Sequence, residues 1–565
     1  MQRQSLQRQL PRLEGARASS RSRTTSAFWL IAGLVACLQG CDSEDTKKDD
    51  SPSTTADGGE SEKDATTSQP SKDAGSSDGG GSIDASTGSG EALTTTIKIA
   101  SGPITGEAAQ EAGKRVLIFR GVPYAAAPTG ALRWKPPQPV AAWTSAREAT
   151  KWGDRCPQGE STLSSPGAMS EDCLNLNVLT PAAKSDERLP VMVFFHGGGL
   201  ALGTGNSTTY CHTALPAQGV VVVTVNSRLG AFGYFSHAAL ATESDKGSSG
   251  NYGTLDLIES LRWVKQNITA FGGDPSNVTI FGESGGGSKV LSCMASPLAK
   301  GLFHRAVIES GSRSSTPNAV TPRANAEQAG QRVATKLGIA AGADGLAQLR
   351  AKTWQEVLAA AAAPDTMFAP NLSIDGWVLP QSVNEAFAQG KQTDVPLIVG
   401  ANEGEASEFV SSIPALAASM KSVSSKAYVY NFVHLPAGWR TPGCYSFHGL
   451  ELPYVFGHMD GVKAATILFL GMAARCEVMR DPMVSDVDRS VAANTMKIWS
   501  QFAKTGNPSV PGLIDWPAYT AETDQYLEIG AELKVKKGVA TSGKSPPPAD
   551  GGVSDAGGTD AGATD

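Results

Sequence analysis

The sequence has no excess of basic residues: 48 Lys and Arg stand against 55 Asp and Glu, for a formal net charge of −7. The electrostatic footprint of a nucleic-acid binder is missing. It also lacks the repeated runs of about 20 apolar residues that build a polytopic membrane protein. Neither a G-X-Y period nor a sustained heptad pattern is present, which excludes collagen-like and coiled-coil architectures. There is no C-x-x-C pair among the eight cysteines, so zinc-site spacing is absent. Histidines number only seven, few enough to weigh one by one. Glycine, by contrast, is abundant at 62 residues.

The two ends differ from the middle. Residues 1–41 carry six arginines and one acid, followed by the apolar run Ala27–Leu38. That run is too short to span a bilayer and has the length of a signal-peptide core. It ends in Leu38-Gln39-Gly40-Cys41, which resembles a bacterial lipobox. The resemblance implies cleavage after residue 40, acylation of Cys41, and an exported chain lipid-anchored to the bacterial cell envelope, with several acyl chains giving stable attachment. Residues 42–96 contain 13 acids, four lysines and no aromatic residue. Such a segment cannot bury enough apolar surface to offset chain entropy, so 41–96 reads as a disordered linker. The acidic stretch 541–565 reads as a disordered tail. By charge, the leader is +5, residues 42–96 are −9 and the tail is −3, which leaves 97–540 formally neutral. Length alone suggests two to four domains; the motifs below favour one catalytic domain over 97–540.

Gly282-Glu283-Ser284-Gly285-Gly286 matches the G-x-S-x-G nucleophile elbow. The β-rich run Asn277–Phe281 precedes it, and the helix-like Ser288–Met294 follows. This is the strand–turn–helix context in which a serine is forced outward beside a helix N-terminus that favours negative charge. Upstream, the apolar run Val191–Phe195 leads into His196-Gly197-Gly198-Gly199. That is the HGGG-type loop whose amides, with the amide after the nucleophile, face the oxygen of a tetrahedral intermediate. Gly198, Gly199 and Gly285 are therefore the expected oxyanion donors. His196 precedes the serine, and its expected part is to hold the loop.

The triad order in this fold is Ser, acid, His. Only His434, His448 and His458 follow a plausible acid. His448 lies in Phe447-His448-Gly449, a setting suited to a base on a loop, whereas His434 and His458 read as surface or turn residues. The apolar run Val395–Val399 is followed by Gly400-Ala-Asn-Glu403-Gly-Glu405, so two glutamates compete for the role of acid.

Further stretches occur in order around the elbow: Phe119–Ala125, Leu132–Pro136, Ser170–Asn177, Gly250–Asp256, Leu261–Asn267, Phe271–Pro275, Ile374–Pro380 and Trp499. With them the chain resembles the type-B carboxylesterase/lipase family, which also contains the cholinesterases. The resemblance covers nearly all of 97–540. It implies an α/β-hydrolase fold, a single large domain with a mostly parallel central sheet flanked by helices. The all-apolar strand Gly219–Val225 suits a sheet covered on both faces. Laid on without gaps, the family pattern selects Glu405, although Gly404 stands where the family has an acid and Ala406 where it has Gly; a one-residue gap selects Glu403 instead. The resemblance also implies a Cys156–Cys173 disulfide and a structural Arg133–Glu171 ion pair. Cys211, Cys293, Cys444 and Cys476 remain open to three pairings.

These residues imply acyl transfer from a small-molecule carboxylic ester through Ser284, His448 and Glu405, with no metal or organic cofactor and no nucleic-acid partner. Pro157–Asp172, where a cholinesterase places a cation-binding ring, holds no aromatic residue, which argues against choline esters. Phe368 is placed either in an acyl pocket or in the core. Rival readings are a surface adhesion protein that kept the fold without the chemistry, a hydrolase of polyesters, lactones or xenobiotic esters, and a secreted peptidase.

Overall fold

A computed structural model describes residues 90–159, 166–311, 320–339, 345–405, 407–462, 476 and 480–539. The leader, Cys41, most of the linker and the tail 541–565 lie outside the described residues. All described residues belong to one compact unit that begins at Gly88.

Eleven strands form the main sheet: β1 (Glu107–Glu111), β2 (Lys114–Pro123), β3 (Asn175–Thr180), β4 (Leu189–Phe195), β5 (Val221–Val225), β6 (Gly273–Glu283), β7 (Arg305–Glu309), β8 (Leu397–Asn402), β9 (Ala427–Phe432), β10 (Gln525–Ile529) and β11 (Leu533–Lys537). Their spatial order is β11-β10-β9-β8-β7-β6-β4-β5-β3-β2-β1. The seven strands from β10 to β5 run parallel, and the edges β11, β3, β2 and β1 are antiparallel. The sheet is thus mostly parallel.

Alternation of side chains explains why the central strands read as continuous apolar runs. Along β4, Val191, Val193 and Phe195 enter one apolar cluster, and Met192 and Phe194 enter a second one on the opposite face. Strand β5 divides the same way, with Val221, Val223 and Val225 on one side and Val222 on the other. Helix α1 (Tyr252–Asn267) and helix α2 (Gly285–Ala295) pack on the first face, through residues such as Leu261 and Val290. Helix α3 (Asp486–Thr505) covers the second with Val491, Ile498, Trp499 and Phe502. Its start is fixed by a capping box between Ser485 and Asp488, and its end by left-handed Gly506 at φ 76°.

The chain takes hold of this body earlier than residue 97. Gly90 N–H donates to the Asp186 carboxylate at 2.6 Å, and Leu93 is buried, its N–H bound to the Ala183 carbonyl at 2.8 Å. One apolar side chain with backbone partners suffices to dock the last residues of an otherwise polar segment. Ala183 lies just ahead of β4, so the chain enters at the end of that strand opposite to His196.

Two disulfides are formed, Cys156–Cys173 and Cys444–Cys476, and Cys211 and Cys293 are buried thiols. Arg133 meets Glu171 with two hydrogen bonds, Nε to Oε1 at 2.7 Å and Nη2 to Oε2 at 2.5 Å. Its Nη1 donates to the Lys352 carbonyl at 2.6 Å, tying Arg133 to a distant segment of the chain. No helix among the described residues is long and apolar enough to cross a membrane.

Candidate active site

Four adjacent parallel strands deliver the site from their C-terminal ends, where open α/β sheets bind ligands. β4 ends into His196 and the glycine loop, β6 into Ser284, β7 into Ser310, and β8 into the turn that carries Glu405. Ser284 has φ 58° and ψ −123°, a conformation costly for a residue with a Cβ and held by its surroundings. Its N–H is bound to the Glu309 carbonyl at 2.9 Å, and helix α2 begins at the next residue. Gly286 is required by contact rather than by dihedral angle: a Cβ there would lie 2.0 Å from the Phe195 carbonyl oxygen. The serine itself is half-buried, and Gly198 and Gly199 are exposed. Gly198 and Gly199 have φ of 99° and 60°. A Cβ on Gly285 would sit 2.5 Å from the Gly199 amide nitrogen, so the backbones of all three expected oxyanion donors are gathered beside Ser284.

The segment carrying His448 is stitched to the turn after β8. Gly404 N–H donates to the Ser446 carbonyl at 2.8 Å, Glu403 N–H to Ser446 Oγ at 3.0 Å, and Asn402 Nδ2 to the Phe447 carbonyl at 2.9 Å. A Cβ at position 404 would come within 2.8 Å of Tyr445 Cβ and 2.9 Å of the Ser446 oxygen. That contact explains a glycine where the family pattern has an acid. The stitching sets His448 Nδ1 3.2 Å from Glu405 Oε1. The same oxygen accepts from Ser310 Oγ at 2.6 Å and from Asn402 Nδ2 at 3.2 Å. Of the two competing glutamates, Glu405 brings its carboxylate to Nδ1 of the imidazole, and the backbone N–H of Glu403 is bound to the Phe432 carbonyl at 2.9 Å.

Sequence reasoning missed the acidity around this histidine. Nε2 of His448 lies 3.1 Å from Glu283 Oε1. Glu283 stands directly across the sheet from Glu309, and Glu451 is joined to Asn402. Glu283, Glu309, Glu405 and Glu451 are all buried. Burial raises the carboxyl of Glu283 to about 7, with His448 opposing and Glu405 adding to the rise. Glu309 is pushed up to about 8 by burial, against the hydrogen bond that Trp499 Nε1 donates at 2.7 Å. Glu451 is raised by burial and by the other glutamates. Burial alone would lower His448, but the negative charges of Glu283 and Glu405 override it and raise the imidazole above its usual range. Two of these residues carry a retrospective signal: Glu283 adjoins the nucleophile, and Glu451 falls three residues after His448. Glu309 and Ser310 carry no such signal.

The other histidines take different places. His434 is not at the surface: it is buried, with Nε2 2.8 Å from Asp488 Oδ1. Burial opposes ionisation of Asp488, but hydrogen bonds from His434 and Ser485 hold its carboxyl well below the usual range. His458 stacks on His212 with ring centroids 4.7 Å apart. Phe368 packs against the core near Phe235, ring centroids 6.4 Å apart. Among the described residues no group of three or more His, Cys, Asp or Glu is placed to hold a metal ion.

Comparison with known proteins agrees with this architecture. The model of the Carboxylesterase family matches residues 93–422 and 407–544. The para-nitrobenzyl esterase of Bacillus subtilis (strain 168) is 34% identical over 480 residues, covering 74% of this chain and 92% of that protein. Carboxylesterase 1C of Rattus norvegicus is 32% identical over 504 residues, with 74% and 86% covered. Fumonisin B1 esterase of Sphingopyxis macrogoltabida is 30% identical over 488 residues, with 76% and 86% covered. Among solved structures, a PNB esterase superposes with TM-score 0.65 at 29% identity, over 78% of this chain and 97% of the other. The chain belongs to the carboxylesterase family, has the α/β-hydrolase fold and is a carboxylic ester hydrolase.

Proposed function

We propose that the protein cleaves small-molecule carboxylic esters through an acyl-enzyme on Ser284. His448 accepts the serine proton as Ser284 Oγ attacks the ester carbonyl, and the amides of Gly198, Gly199 and Gly285 hold the resulting oxyanion. The imidazolium then protonates the leaving alcohol. Water, deprotonated by His448, releases the carboxylic acid and restores the serine. Glu405 keeps the proton on Nδ1 and stabilises the cation that forms, and Nε2 acts as base once its 3.1 Å contact with Glu283 Oε1 is exchanged for Ser284 Oγ. The observation that carries this reading is the 3.2 Å approach of Glu405 Oε1 to His448 Nδ1 beside a strained serine at an elbow.

Short and medium carboxylic esters are the substrates assigned by default, and the lack of an aromatic residue in Pro157–Asp172 speaks against a quaternary ammonium substrate. The charged-then-apolar leader ending at Cys41 supports export and lipid anchoring in the bacterial envelope. Two measurements test the proposal. Ser284→Ala abolishes p-nitrophenyl acetate hydrolysis, and a fluorophosphonate labels the wild type at Ser284 alone. Hydrolysis unchanged in Ser284→Ala sinks the mechanism. Incorporation of radiolabelled palmitate that is lost in Cys41→Ala tests the anchor.

A further inference from the structure

Helix α2 carries a lysine in its second turn, five residues after the nucleophile, and that lysine is fully buried. Lys289 Nζ donates to the His196 carbonyl at 3.0 Å and lies 3.3 Å from His196 Nε2. His196 is itself buried, and its Nδ1 is 2.9 Å from the Gly197 carbonyl oxygen. A lysine nitrogen next to Nε2 makes that atom the acceptor, so the ring proton sits on Nδ1 and donates to Gly197. The ring is enclosed from another side by Gly203, where a Cβ would lie 2.5 Å from Nδ1 and 2.6 Å from the Gly197 oxygen.

The consequence runs through one peptide unit. A peptide is planar and trans, and this chain has no cis bond among the described residues. Turning the Gly197 C=O toward the imidazole therefore aims the Gly198 N–H the opposite way. Gly198 is one of the expected oxyanion donors. We propose that Lys289 is a positioning residue for ester hydrolysis: by holding both the carbonyl and Nε2 of His196, it fixes the tautomer that orients the Gly198 amide. The inference rests on the oxyanion assignment above. Burial pushes the Lys289 ammonium down to about 7, and the neutral amine still has two N–H groups for its two acceptors. His196 is held far below the usual imidazole range, first by burial and then by Lys289, which keeps it neutral.

The test uses the full-length protein and the variant Lys289→Met, which keeps the side-chain volume and removes the donors. Met removes the desolvation cost of the buried lysine head but leaves the His196 carbonyl and Nε2 without their donor, so the two effects on stability oppose each other. The expected result is a kcat for p-nitrophenyl acetate about 10- to 100-fold lower, KM within about 2-fold, and an unchanged Tm, given that losing one oxyanion donor outright costs roughly 100- to 1,000-fold. Affinity for a trifluoromethyl ketone, which forms a tetrahedral oxyanion adduct, falls by the same factor. A plain packing role would lower Tm without this split between kcat and KM. A stable Lys289→Met enzyme with wild-type kcat overturns the proposal. Should the variant not fold, the wild type decides: 15N-histidine spectra, assigned with His196→Asn, show the Nδ1–H tautomer if the inference holds and the Nε2–H tautomer if it fails. Ser284→Ala separates the two levels: activity retained there removes the oxyanion reading itself. Activity lost there with Lys289→Met at wild-type rate removes only the role of Lys289.

Discussion

Replacing Glu405 by Ala removes the carboxylate 3.2 Å from His448 Nδ1. Two unit charges at that separation, at an effective dielectric of about 20, interact by about 5 kcal/mol. That corresponds to between three and four powers of ten in rate if all of it serves the transition state. Two features reduce the loss. Glu283 stays 3.1 Å from Nε2, and Glu451 also favours the imidazolium. The expected fall in kcat/KM for p-nitrophenyl acetate is therefore about 1,000-fold, with the residual rate supplied by the oxyanion amides. Glu403→Ala is the matched control: its backbone N–H bonds to the Phe432 carbonyl and Ser446 Oγ survive the substitution, so its rate stays within about 2-fold of wild type. Active-site titration with a fluorophosphonate, alongside Tm, normalises both rates to folded, labelled enzyme. Glu405→Ala above a tenth of the wild-type rate, with Glu403→Ala below a hundredth, would transfer the acid role to Glu403 and refute the reasoning.

Glu283→Gln removes a carboxylate that raises His448. Catalysis needs neutral His448, and activity is lost as pH falls through its pKa, so the acidic limb of the kcat/KM profile moves to lower pH by at least about one unit. A limb that stays in place or moves up contradicts the assigned electrostatics. Glu171→Gln leaves Arg133 as a buried guanidinium with half of its pair neutralised, and breaking such a pair costs about 3–5 kcal/mol. Urea unfolding should show the midpoint fall with the m-value unchanged, and a loss below about 1 kcal/mol would make the pair incidental.

The parts of the site legible from the sequence are those written within short windows. Residues 277–294 spell strand, elbow and helix, and the structure extends them only at the ends, to β6 at Gly273–Glu283 and α2 from Gly285. The glycine loop after β4 was readable because the same four residues must both turn and leave their amides bare. Contacts between distant segments were not readable. Glu309 sits in a run, Arg305–Glu309, that looks like any buried strand ending, and its place beside Glu283 depends on strand register. His434 finds Asp488, 54 residues away, through packing of α3, and nothing near either residue announces it. The cysteine pairing is open for the same reason: Cys444 and Cys476 are 32 residues apart in sequence, and no local pattern links them. Lys289 looks in the sequence like one more residue of a helix, since periodicity tells which face is buried and not that a lysine on it has two acceptors waiting.

Docking of Gly90–Leu93 beside Ala183 has a practical meaning for handling the enzyme. The polypeptide joins the catalytic body at the strand-start end of β4, and the glycine loop leaves from its other end, seven residues or about 23 Å further on. A support, fusion partner or affinity resin coupled through residues preceding Gly90 is therefore attached on the side away from Ser284. Immobilisation by that end leaves the mouth open to bulky or insoluble esters, whereas coupling near the oxyanion loop would shade it.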